Sequence, residues 1–256
     1  MKSLNEFRQK KGKEKIIMLT AYDYQTARIL DEVGIDLILV GDSLGVVIQG
    51  CPDTKSVTMQ DMLYHTRAVA KGSEQTPIIA DMPINSYNTE EEALANAKRL
   101  LGAGARGVKL EGNKTEVIKT LLDDGIPVMG HLGLLPQIAE TYRVKGKDAN
   151  EAQRIYNDAT KVDDLGVLSI VLECIPETLS RRITSSVKAP TIGIGAGKYC
   201  DGQVLVINDL LGLSPGIGPK FVKNYANLNK IIAKAITTFK EEVMSGDYPD
   251  KDHTYH

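Results

Sequence analysis

Four acidic side chains stand where short aliphatic runs of this chain stop. Asp42 closes the run in "DLILVGDSLG" and is followed by Ser43, Asp81 closes "PIIAD", Glu111 ends "GVKLE" and Glu173 ends "SIVLE". Lys109 lies two residues before Glu111, and His131 occupies the matching place in "PVMGHLG". A buried strand has no use for a bare carboxylate, because removing an ionised group from water costs on the order of several kcal/mol unless a partner or a metal offsets it. Any one of these acids alone reads as a helix cap or a surface ion pair. Together, four carboxylates and one lysine on neighbouring strand ends would repel one another unless a cation sat among them, and hard oxygen ligands select magnesium or a similar ion.

Such a set suits the activation of a 2-oxo acid. The cation would take the keto oxygen and one carboxylate oxygen, while Lys109 and Ser43 hold the remaining carboxylate charge. Glu173, approaching from another strand, could then act as general base toward the acidified carbon. What attacks and what is attacked the residues do not say. His131, a lone histidine beside a glycine turn, suits hydrogen bonding behind the ligands better than direct coordination. Cys174 adjoins Glu173 but has nothing beside it to lower its pKa, which argues against a nucleophile. His65, within the helical pattern "LYHTRAVA", reads as structural.

Convergence requires elements that bring those ends together. Eight short apolar runs recur along the chain, "KIIMLTAYD", "DLILVGD", "TPIIADMP", "GVKLEG", "IPVMGHLG", "LSIVLEC", "APTIGIGAG" and "QVLVIND", with amphipathic segments such as "YQTARILDEVG" and "TEEEALANAKRLLGAG" between many of them. Thr89 with Glu92 fits the capping-box spacing and Thr58 with Asp61 approximates it, while Gly34 and Gly166 mark helix ends. Strand then helix, repeated about eight times in 256 residues, predicts an α/β fold of the (β/α)8 TIM barrel type. One domain over residues 1–256 is expected, with a charged C-terminal tail "KEEVMSGDYPDKDHTYH" as a solvated end or subunit contact. The stretch between the seventh and eighth runs is too short for a full helix, and a doubly wound open sheet is the alternative. In a barrel the strand ends share one mouth, and residues two apart share a face, so Lys109 and Glu111 point together into it. The loop "VVIQGCPDTKSVT" has room to act as a lid. "GIGAG" lacks the GxGxxG spacing of a dinucleotide site and reads as close backbone packing.

Composition excludes several classes of partner. Lys and Arg total 31 against 33 Asp and Glu, which gives no electrostatic reason to expect nucleic acid or an anionic membrane. No apolar run approaches the roughly 20 residues of a membrane span, and the N-terminus lacks a signal-peptide pattern, so a cytoplasmic location is expected. Cys51, Cys174 and Cys200 form no CxxC pair, against both a disulfide framework and a zinc site.

"TAYDYQTA", "DLILVGDSLG", "VTMQDMLYHTRAVA", "IIADMPINSY", "GVKLEG", "GHLGLLPQ", "VLECIP", "TIGIGAG" and "CDGQVLVINDLLGL", in that order, resemble the 3-methyl-2-oxobutanoate (ketopantoate) hydroxymethyltransferase family from about residue 16 to residue 250. The resemblance implies a magnesium-dependent barrel enzyme of pantothenate biosynthesis. It would transfer a hydroxymethyl group from 5,10-methylenetetrahydrofolate to 3-methyl-2-oxobutanoate and commonly assemble as a homodecamer. Residue by residue, it implies Asp42 and Asp81 as magnesium ligands, with Glu111 completing the metal environment through water. It likewise implies Asp42, Ser43, Asp81 and Lys109 as contacts to the oxo acid and Glu173 as proton acceptor. Ile84-Asn85 stands where the family often has Phe-Gly, and Leu135 where Thr is common. A carbon-carbon lyase of the isocitrate-lyase kind would need a Cys-Gly-His loop that is missing here. A catalytically silent barrel would leave buried charges as a liability. A phosphosugar enzyme would need a phosphate site near Lys198.

Overall fold

The computed structural model describes residues 3–214, 216 and 218–255. The chain forms two compact units, residues 1–206 and 207–256. In the first, eight parallel strands close into a barrel in sequence order, with β1 (Ile16–Thr20) also paired to β8 (Gly202–Leu205). Between them run β2 (Leu37–Val40), β3 (Ile78–Asp81), β4 (Gly107–Glu111), β5 (Val128–Gly133), β6 (Ser169–Glu173) and β7 (Thr191–Ile194). All eight apolar runs of the sequence are therefore strands, and the barrel expectation holds. No helix separates β7 from β8, as their spacing required.

Helices α1 (Leu4–Gln9), α2 (Tyr24–Val33), α3 (Leu44–Val47), α4 (Met59–Gly72), α5 (Glu90–Gly102), α6 (Thr115–Asp123), α7 (Ala149–Asp164) and α8 (Glu177–Ser186) fill the remaining connections and the N-terminus. Their limits follow from local chemistry. Asp23 caps α2 by accepting from the Thr26 N–H at 2.8 Å, and Gly34 ends it in the left-handed conformation. The reciprocal capping box forms at Thr58 and Asp61. At Thr89 only half of it forms, because the Glu92 carboxylate accepts from the Asn88 N–H at 3.1 Å instead. His65, on α4, holds the Tyr22 carbonyl through Nδ1 at 2.6 Å, the structural role its pattern suggested.

The barrel interior is layered. Ile16, Met18, Leu37, Leu39, Ile79, Met129, Val171, Ile192 and Val204 form one buried cluster, joined by Phe7 from α1. Two residues further along the same faces of β3, β5 and β6 come Asp81, His131 and Glu173, so a buried apolar plug supports a charged rim.

The second unit contains α9 (Ile207–Leu210) and α10 (Leu228–Ser245), capped by Asn227 at its start and by Gly246 in the left-handed conformation at its end. The charged tail thus begins inside α10. No helix among the described residues is long and apolar enough to cross a membrane.

Candidate functional site

Register sets the rim. Asp81 on β3 is the partner of Lys109 on β4, Glu111 that of His131 on β5, and Gly133 that of Glu173 on β6. Adjacent strands in a parallel sheet lie about 5 Å apart, so each ionisable group meets the next. Lys109 Nζ lies 2.6 Å from Asp81 Oδ1, both side chains buried. The Asp42 N–H donates to Asp81 Oδ2 at 3.0 Å, which links β2's end to β3's. Gly41 permits this approach, since a Cβ there would stand 2.8 Å from Ser43 Oγ and 3.6 Å from Asp81 Oδ2.

His131 bridges the far side of the rim. Its Nδ1 is 3.4 Å from Glu111 Oε1 and its Nε2 3.1 Å from Glu173 Oε2. Burial works against a charged ring, but the contacts with Glu111 and Glu173 prevail and push its pKa up to about 9. Gly133, at φ +99°, is required beside it because a Cβ would press to 2.3 Å from the Glu173 carbonyl oxygen. Immediately after Glu173, Cys174 adopts φ +48° and turns the chain out of the strand. Burial and the neighbouring Glu173 raise the Cys174 thiol to about 11, so it stays protonated near neutral pH.

Three residues enter the site that no single motif singled out. Tyr22 contacts Ser43 Oγ through its hydroxyl at 2.8 Å. Gln137, on the segment after β5, donates from Nε2 to Asp42 Oδ2 at 2.7 Å and to the Met82 carbonyl at 2.9 Å, and its backbone N–H donates to Glu111 Oε2 at 3.1 Å. Tyr87 donates its hydroxyl to Gln137 Oε1. The available signal was position, since all three lie just past a strand end. Asn85 has φ +65°, which accounts for the glycine that the family resemblance expects there: asparagine is among the few side chains that adopt this conformation readily.

All six predicted rim residues, Asp42, Ser43, Asp81, Lys109, Glu111 and Glu173, thus lie at one mouth, with His131 among them. Glu111 is held by Gln137 and His131 rather than by Asp42 or Asp81. Burial, then the Asp81 and Glu111 charges, push the Asp42 carboxyl up to about 7 against the opposing effect of Lys109. With the His131 ring charged, four carboxylates face two cations, leaving two negative charges uncompensated when every acid is ionised. A divalent cation fits both that charge and the oxygen donors. Among the described residues no three His, Cys, Asp or Glu side chains converge as metal ligands. A cation here would rest on the Asp42 and Asp81 pair with its other positions open to water and substrate, the arrangement magnesium favours. The loop proposed as a lid begins in the last two residues of α3 and is fastened near the mouth by Lys55 Nζ, which donates to the Ala139 carbonyl at 2.9 Å.

Comparison with known proteins is consistent with this geometry. A family model described as ketopantoate hydroxymethyltransferase matches residues 1–251. The 3-methyl-2-oxobutanoate hydroxymethyltransferase of Syntrophus aciditrophicus is 52% identical over 96% of this chain and 93% of its own length. The protein of that name from Syntrophomonas wolfei is 49% identical over 96% and 92%. Among solved structures, 2,3-dimethylmalate lyase, described as a PEP mutase/isocitrate lyase superfamily member, superposes with a TM-score of 0.64 at 14% identity. That superposition covers 99% of this chain and 92% of the lyase, and it speaks to the fold alone.

Proposed function

This chain belongs to the ketopantoate hydroxymethyltransferase family, and from that membership we propose that it converts 3-methyl-2-oxobutanoate to 2-dehydropantoate with 5,10-methylenetetrahydrofolate as one-carbon donor. The observation that carries this reading is the run of Asp42, Asp81, Lys109, Glu111, His131 and Glu173 along the ends of β2 to β6, buried or nearly so above an apolar plug. Asp42 and Asp81 would hold Mg2+, with Glu111 reaching it through water. When bound, the ion would supply Lewis-acid polarisation of the oxo acid.

The chain's own groups do the rest. Lys109 and Ser43 bind the substrate carboxylate, and the Tyr22 hydroxyl at 2.8 Å orients Ser43. Lys109 reaches the substrate while still paired to Asp81, which keeps its ammonium charged and in place. Glu173 removes the proton from C3, leaving an enolate, and the His131 ring 3.1 Å away favours the ionised carboxylate that this step requires. C3 then bonds to the methylene carbon of the opened, iminium form of the donor. Water supplies the hydroxyl as tetrahydrofolate departs. Placement in the cytoplasm and assembly as a homo-oligomer, a decamer in the family's pattern, complete the proposal. The exposed Ile231, Ile236 and Phe239 of α10 support a subunit contact.

Proton NMR of 3-methyl-2-oxobutanoate in deuterated water tests the reading. Loss of the C3 proton signal only with enzyme and Mg2+, followed by appearance of 2-dehydropantoate on adding the donor, is expected. Folded, metal-loaded protein that gives neither exchange nor product would overturn it.

A further inference from the structure

Gln137 is almost wholly buried, at 1% exposed, and every polar group of its side chain is engaged. It belongs to the segment after β5, yet it crosses the mouth to Asp42 at the end of β2 and to the Met82 carbonyl just past β3. Because the Asp42 carboxylate and the Met82 carbonyl are both acceptors, the end of the amide facing them must be its NH2 group. The opposite end, Oε1, receives the Tyr87 hydroxyl, so a flip would set oxygen against two oxygens and strand that donor. The backbone N–H of the same residue holds Glu111 Oε2.

We infer that Gln137, locked by Tyr87, is a positioning residue for the divalent cation: it engages Asp42 Oδ2, leaves the other oxygen of that carboxylate for the ion and ties Asp42 to Glu111 across the mouth. The inference rests on the metal reading above, but not on any step of the chemistry. Partners behind metal-binding groups typically alter affinity by about 10- to 100-fold when removed. A single hydrogen bond between neutral groups is worth about 1 kcal/mol, a few-fold in affinity.

The test is the affinity of the full chain for Mn2+ alone, measured by titration calorimetry and by the free-ion EPR signal. Gln137→Leu, close in size, should weaken Mn2+ binding about 10- to 100-fold. Tyr87→Phe, which deletes only the hydroxyl that Gln137 Oε1 receives, should weaken it a few-fold. The double variant should lose less affinity than the two single losses combined, because the hydroxyl acts chiefly through the amide. A merely structural pair would lower the melting temperature of the metal-free protein without this coupling in cation affinity. Wild-type Mn2+ affinity in Gln137→Leu, or strict additivity of the two changes, overturns the inference while leaving the metal reading intact. Failure of the wild-type protein itself to bind Mn2+ overturns both. Should Gln137→Leu not fold, Tyr87→Phe decides alone, with unchanged affinity counting against the lock.

Discussion

Ile79 and Asp81 stand two residues apart on β3, face the same barrel interior and are equally hidden, at 0% and 2% exposed. The same pairing recurs on β5, with Met129 below His131, and on β6, with Val171 below Glu173. The lower layer gains stability simply by leaving water and would work with other apolar side chains of similar volume. The upper layer loses hydration free energy by being where it is and persists because each charge has a neighbour: Lys109 for Asp81, His131 for Glu111 and Glu173, and Gln137 for Asp42. One strand geometry therefore hosts a stability layer and a chemistry layer. The boundary between them falls within a single pair of residues, which makes the division open to attack one position at a time.

The largest expected effect lies at Glu173. Replacing it by Gln keeps shape and removes the base, so turnover should fall by about 10²- to 10⁴-fold while Mn2+ and oxo-acid affinities stay within a few-fold. Steady-state rates beside calorimetric titrations check this, and undiminished turnover would remove Glu173 as proton acceptor. Asp81→Ala attacks the same layer through its pairing. It should lower stability, because the buried Lys109 ammonium loses its 2.6 Å partner and keeps only the charges of Asp42 and Glu111, and should weaken cation binding as well. Denaturant unfolding and Mn2+ titration read the two losses, and wild-type metal affinity would refute Asp81 as a ligand.

In the lower layer, Met129→Ala should cost about 2–5 kcal/mol through the cavity it leaves, with Mn2+ affinity unchanged in the folded fraction. A loss of cation affinity as large as that of Asp81→Ala would show that the two layers are not separable.

How much of this was legible beforehand follows the same boundary. The strands announced themselves because each is a short run of aliphatic residues punctuated by a charge, and the charges at their ends marked the mouth before any fold was known. Helix α8, "ETLSRRITSS", carries too many polar residues to stand out, and α10 sits within a segment whose charged end reads as solvated tail. The capping boxes illustrate how local spacing underdetermines geometry: Thr89-Glu92 has the better sequence and Thr58-Asp61 the complete pair. Gln137 and Tyr87 were hidden for another reason. Their partners, Asp42 and each other, lie 95 and 50 residues away, and only closure of the barrel brings them together.

The smallest predicted effect is the most direct probe of the upper layer, because it needs no substitution. Burial and the charge of Asp81 push the Asp42 carboxyl from the ordinary carboxylate range up to about 7. A folded-state value above the unfolded one means that the metal-free fold is firmest with Asp42 protonated and loses stability as the pH rises through about 7. A cation needs the ionised form, so binding must displace that proton whenever the pH is lower. Mg2+ affinity should therefore level off near pH 8, before His131 titrates, and fall toward tenfold per pH unit below about 6, with up to one proton released per ion at the acid end. Titrations in buffers of different ionisation enthalpy count that proton directly. Affinity constant from pH 5.5 to 8, with no proton release, would mean that Asp42 is already ionised without the metal, and would remove the charge-crowding explanation for why a cation belongs at this rim.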